Sequence, residues 1–319
     1  MSEVEEMPLK SETTKSVHHS AEDAPVTPKQ KHKRGQVWLY VISGALGALI
    51  VGGAITGIVN AKEISISDGL DKLLTIDFVL FVLAGFIAQM IDGALGMAYG
   101  ASSTSMLMSF GVSPAAASAA VHTAEVFTTG ASGISHLRFG NVNSKLAKAL
   151  IIPGVIGAIL GAYVLSSVDG KAIAPYISLY LVFLGGRILL KAFTISKKKN
   201  KIKNIAPLAL FGGFIDSVGG GGWGPIVTST LLGKGRNPRY TIGSVNLAEF
   251  FVALASAGIF TFMLGFNNWV VMLALIVGGV MAAPFGAVLA SKFKPKTLMI
   301  VVGLVVIGLS VRTILKAWL

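Results

Sequence analysis

The chain has no cysteine in 319 residues. Its own residues therefore supply no disulfide, no thiolate metal site and no iron–sulfur cluster. Charge is scarce too: Asp, Glu, Lys and Arg make up 13%, against about a quarter in soluble domains. Acidic residues are the scarcer sign, 15 against 27 basic. No G-x-x-x-x-G-K-[ST] phosphate loop occurs, so ATP is not the obvious driver of whatever the chain does. The alternating segments of ~10 residues that mark a membrane β-barrel are also missing.

What is there is apolar. The chain is 53% hydrophobic, with a mean hydropathy of +0.72. Several apolar runs reach roughly 20 residues, enough to cross the hydrocarbon core as a helix. The fold class read from this is an all-α polytopic membrane protein. The net charge of +12 sits mainly in short loops between spans, as the positive-inside rule places it, so nucleic acid is not an expected partner.

Residues 1–36 are polar and too poor in apolar side chains to build a core; they read as a disordered cytoplasmic tail. Residues 37–60 read as an uncleaved N-terminal anchor helix, being too long for the apolar part of a signal peptide. Two copies of one unit follow, at 73–193 and 205–319, joined by a basic cytoplasmic linker at 194–204. GFIAQMIDGALGMAYGASS (85–103) returns as GFIDSVGGGGWGPIVTSTL (213–231). SAAVHTAEVFTTGASGI (118–134) returns as IGSVNLAEFFVALASAGI (242–259). Each copy is a broken apolar segment (78–110 or 205–232) and three spans: 114–137, 146–166 and 173–193, then 240–264, 269–290 and 297–318.

Loop charge bears on how the breaks run. If each broken segment is a hairpin of two short helices that returns to its own side, every basic loop falls inside. If each crosses once, the lysine run 197–203 lands outside, against the rule. Three full spans is an odd number, so the copies are expected to have inverted topology, related by a pseudo-twofold axis in the membrane plane. Two fully crossing short helices per break give the same loop sidedness.

Backbone breaks inside a bilayer are tolerated only in buried or wet places, because every amide and carbonyl must find a partner. The breaks are placed at Asp92-Gly93-Ala94-Leu95-Gly96 and at the run Gly219–Pro225, with Pro225 suited to open a new helix. A half-helix starting after each break presents unpaired amides and the positive end of its dipole, an anion site. Gly93, Gly96, Gly222 and Gly224 are the candidate backbone contacts. Ser103 and Thr228 are candidate hydroxyl donors, although such hydroxyls also bond their own helix.

On the next helix His122 and Glu125, three apart, share a face; Asn246 and Glu249 match them in the second copy. Ionisable groups inside a span are costly and usually functional. His122 and Asn246 are candidate anion donors. Asp92, Glu125, Asp216 and Glu249 are candidate proton-coupling groups. A metal is the weakest reading of His122, since no further histidine stands at ligand spacing. No cofactor is expected.

At these residues the chain resembles the sulfite exporter (TauE/SafE) family of anion permeases. The resemblance runs from about residue 78 to the C-terminus. It is carried by the duplicated glycine-rich segment ending in Gly222-Trp223-Gly224-Pro225, the Asn237-Pro238 turn and the helix GSVNLAEFF (243–251). It implies a plasma-membrane carrier, often an exporter, for sulfite, organosulfonates or related small anions. The expectation is a secondary transporter of a small oxyanion held at the midplane, in contact with membrane lipid, with a homodimer left open. A cation-coupled carrier of small carboxylates, a cation pathway, and a non-transporting membrane scaffold are the alternatives. No nucleophile–base pair suggests an enzyme.

Overall fold

The computed structural model describes residues 75–95, 97–193, 204–266, 268–292 and 294–318. All lie in residues 43–319, one of the two units into which the chain divides. The tail at 1–36, the anchor at 37–60, the first residues of the repeat at 73–193, Gly96 and nearly all of the linker at 194–204 fall outside the described residues.

The described residues form ten α-helices and one π-helical turn, with no strand. In chain order they are α1 (Ile76–Leu95), α2 (Tyr99–Ser109), α3 (Pro114–Arg138), α4 (Ser144–Ser167), α5 (Gly170–Lys191), α6 (Ala206–Gly219), the π turn (Trp223–Thr228), α7 (Ser229–Gly233), α8 (Pro238–Leu264), α9 (Trp269–Lys292) and α10 (Pro295–Trp318). The six long helices after the breaks start and stop within three residues of the expected spans. Punctuation explains this. Pro114 and Pro238 open α3 and α8, at the first helical position, where no amide donor is needed. Asn143 caps α4 by accepting from the amides of Lys145 and Leu146 at 3.0 and 3.1 Å.

Among the described residues, α4, α5, α8 and α10 are long and apolar enough to cross a membrane. Burial runs the opposite way from a soluble protein. Leu160, Phe183, Phe262 and Leu304 are exposed, while Ser103, Thr104, His122, Ser217 and Ser256 are buried. α3 is as long as the spans but carries His122 and Glu125 inward.

α1 packs along α9, α6 along α4, α3 along α8 and α5 along α10. Each pair joins the first copy to the second. The close approaches repeat as well. A methyl group on Gly157 of α4 would strike the Leu210 carbonyl oxygen and, at 2.8 Å, the Phe214 amide of α6. On Gly278 of α9 it would strike the Val82 carbonyl oxygen and, at 2.8 Å, the Phe86 amide of α1. Val82 and Phe86 stand at the same offsets from Gly85 as Leu210 and Phe214 from Gly213, the first residues of GFIAQ and GFIDS.

The breaks differ from expectation in three ways. α1 runs 20 residues where a short half-helix is expected, and it continues through Asp92 and Gly93. The first break therefore falls after Leu95, with Ala98 at φ 89, a left-handed conformation that costs a non-glycine residue energy. In the second break α6 ends at Gly219, and Gly220 supplies the left-handed turn at φ 63. Pro225 is the third residue of the π turn, not the first. It is tolerated there because the opening amides of a helix have no intrahelical partner to lose.

Candidate functional site

The two breaks meet. A methyl group on Gly100, in the first turn of α2, would lie 2.7 Å from Gly221 Cα, 2.8 Å from the Gly220 carbonyl oxygen and 3.2 Å from Glu125 Oε1. Thr104 donates its hydroxyl to the Gly220 carbonyl at 2.6 Å. Tyr180 of α5 donates to the Gly221 carbonyl at 2.9 Å. The carbonyls of the glycine run thus find donor partners in side chains of the other copy, as buried backbone requires.

Its amides are satisfied from within. Asp216 Oδ1 accepts from the amides of Gly222 and Trp223 at 2.6 and 2.8 Å. Asp92 Oδ1 accepts from the amide of Tyr99 at 3.4 Å. Both carboxylates reach seven residues ahead, across their own break. The amides of Tyr99, Gly222 and Trp223 are therefore taken up by carboxylates of the chain. An unpaired amide in hydrocarbon costs several kcal/mol, and each copy supplies an acidic side chain to satisfy it. Gly85 and Asp92 are seven residues apart, Gly213 and Asp216 three. The first copy has about one helical turn more before its carboxylate, so the face is kept.

His122 is fully buried beneath the second break, stacked on Phe260 with the rings 6.3 Å apart. Its Nε2 lies 3.2 Å from the Asp216 carbonyl oxygen. A carbonyl only accepts, so Nε2 carries a proton. Nδ1 lies 2.9 Å from Glu125 Oε2. One proton therefore sits between imidazole and carboxyl, on either partner. Asp216 Oδ2, 4.0 Å from Nδ1, is buried with no hydrogen bond. His122, Glu125 and Asp216 offer three ligand atoms within 4.8 Å of one another. The third comes from the other copy, which spacing within α3 does not reveal. A metal there would have to displace the shared proton.

The remaining candidates divide. Glu249 is half-buried, in electrostatic reach of Glu125, Asp92 and Asp216. Asn246 does not hold the place His122 holds: its amide donates to Ser132 of α3 at 2.9 Å. Ser103 is fully buried, and its hydroxyl, with those of Ser102 and Tyr99, makes no hydrogen bond to other elements. Thr228 is buried at the end of the π turn. Gly222 lies against Tyr180, where a methyl group would come 2.5 Å from the phenol oxygen, and Gly224 against Met97, at 2.9 Å. Gly93 sits within α1 rather than in the break.

Two residues of α5 were not singled out in the sequence. Tyr180 braces Gly221. Lys191 Nζ lies 3.1 Å from Met97 Sδ and donates to Ser229 Oγ at 3.0 Å. A tyrosine within a span and a lysine at its end are commonplace, and neither falls in a repeated motif.

An inside-out helical bundle, broken twice at a buried polar centre, defines a multi-pass membrane protein, and its similarity to known proteins makes it a membrane transporter. The chain belongs to the family described as sulfite exporter TauE/SafE, whose model matches residues 81–313. It is 44% identical over 251 residues to the probable membrane transporter protein YtnM of Bacillus subtilis, covering 76% of this chain and 84% of that one. It is also similar to the probable membrane transporter protein YunE of the same organism, 20% identical over 258 residues, 72% of this chain and 94% of the relative. A probable membrane transporter protein of Xylella fastidiosa is 23% identical over 197 residues, 58% of this chain and 74% of the relative. No solved structure matches.

Proposed function

We propose that the chain is a secondary transporter, working as an exporter, for a small oxyanion such as sulfite or an organosulfonate, with protons as the coupling ion. The observation that carries this reading is the set of leftover donors beside the joined breaks. The Ser102 hydroxyl is buried on α2 without a partner, and the buried Tyr99 and Ser103 hydroxyls have only each other. Polar groups are seldom left so in a dry interior, and an oxyanion satisfies several at once. Family membership supports an anion as cargo.

Protons enter through charge balance. Glu125 and Asp216 flank the His122 imidazole, and Glu125 and Glu249 each lie within electrostatic range of Asp92 and Asp216. Four carboxylates and an anion cannot all stay charged in a low-dielectric enclosure. An arriving anion favours protonation of Glu125 or Glu249, so the two species travel together. The half-helix amides fix the breaks rather than hold the cargo.

In this reading the copies at 73–193 and 205–319 are inverted repeats that rock against each other. The matching contacts of Gly157 and Gly278 support that relation. The basic loops support a cytoplasmic N-terminus in the plasma membrane.

A second reading is a cation-coupled carrier, favoured by the three ligand atoms of His122, Glu125 and Asp216. Flux of labelled sulfite and of sodium into proteoliposomes separates them. Saturable sulfite flux that follows an imposed pH gradient without sodium is the expected result. Sodium flux with no saturable anion flux overturns the first reading.

A further inference from the structure

Lys191 is the last residue of α5 and is half-buried. A cation there suits the negative end of the helix dipole. The dipole does not explain where the ammonium goes. It turns away from its own helix into the seam between the two breaks, to Met97 Sδ at 3.1 Å on one side and Ser229 Oγ at 3.0 Å on the other. The Ser229 hydroxyl in turn donates to the Gly224 carbonyl at 3.4 Å. An ammonium has three donors. Here two meet a thioether and a neutral hydroxyl, and no carboxylate among the described residues lies within 4.0 Å. Arg187, one turn earlier, adds repulsion from a like charge. A partly desolvated cation held beside another without a counter-ion is costly. A mobile anion relieves the cost.

We propose that Lys191 and Ser229 form a subsite for a small oxyanion at the α5-terminal approach to the breaks. Lys191 supplies the charge, and the Ser229 hydroxyl supplies a second donor when it leaves Gly224. The subsite rests on the anion-carrier reading. Tyr180, eleven residues earlier on α5 and about 16 Å along its axis, touches the Gly221 carbonyl. One helix thus reaches both the subsite and the point where the breaks meet.

The test is calorimetric titration of the purified full-length protein with sulfite and with methanesulfonate, for wild type, Lys191→Met and Lys191→Arg. Lys191→Met should weaken sulfite binding at least tenfold and flatten its dependence on salt, while Lys191→Arg stays within threefold of wild type. Sulfite binding by Lys191→Met within twofold of wild type overturns the subsite and leaves the carrier reading standing. Wild type that binds neither anion removes both. Should Lys191→Met fail to fold, acetylation of Lys191 by an N-hydroxysuccinimide ester in the wild type is read by peptide mass. Saturating sulfite should slow it at least fivefold; an unchanged rate overturns the subsite.

Discussion

Gly100 and Gly221 touch backbone to backbone, each leaving no room for a methyl group on the other: 2.7 Å to Gly221 Cα from one side and 2.8 Å to Gly100 Cα from the other. Backbone on both sides cannot swing away as a side chain does. Gly100→Ala should therefore separate the breaks, at about 1–3 kcal/mol for overpacking, and lower sulfite flux at least tenfold. Thermal denaturation in detergent and flux in proteoliposomes measure the two effects. Normal flux by Gly100→Ala would mean that contact between the breaks is dispensable.

Gly157 and Gly278 answer to each other across the repeats. Alanine at either runs into a backbone carbonyl of the facing helix. Both variants should lose about 1–3 kcal/mol, by similar amounts. Gly186→Ala, where nothing lies within 4 Å, should leave the melting temperature unchanged or slightly raised, since alanine favours a helix. A large loss at Gly157 with none at Gly278 would deny that the two interfaces are equivalent.

The long helices were legible because their signals are local: apolar runs of membrane length, and Ser113-Pro114 or Asn237-Pro238 turns. His122 and Glu125 were legible as a pair because i and i+3 share a helix face, and the pair is there at 2.9 Å. What lay across a break was not legible. Asp216 reaches Gly222 and Trp223 only because the glycine run folds back, a geometry that no spacing rule encodes. Aligning the copies at GFI also hid the shared role of Asp92 and Asp216, since their positions differ by a helical turn. Sequence analogy also does not give partners: Asn246 aligns with His122 in the repeat, yet its amide donates to Ser132. Lys191 was hidden because a lysine ending a span already has a reason to be there.

Asp216 and Asp92 do the same task unequally. Asp216 accepts two short bonds from buried amides, Asp92 one of 3.4 Å. Hydrogen bonds to a charged group contribute about 1.5–3 kcal/mol each. Asp216→Ala should thus destabilise markedly more than Asp92→Ala in thermal denaturation. Asp216→Asn keeps an acceptor oxygen and should recover most of the loss. Equal melting temperatures for Asp216→Ala and wild type would show that the second break does not depend on this cap.

His122 and Glu125 hold one proton between them, so they should fail as a unit. Removing either partner removes the proton site, and removing the second takes away nothing further. His122→Gln and Glu125→Gln should each lower sulfite flux at least tenfold and flatten its response to a pH gradient. The double variant should be no worse than the poorer single one, the non-additivity expected of groups that act together. The glutamine at position 122 can still donate to the Asp216 carbonyl, which separates loss of the proton from loss of the brace. Initial rates across a pH series, on protein matched for amount reconstituted, give the comparison. If the two losses multiply in the double variant while the pH response persists, the proton is carried elsewhere, and Glu249, half-buried among the same carboxylates, is the next group to replace.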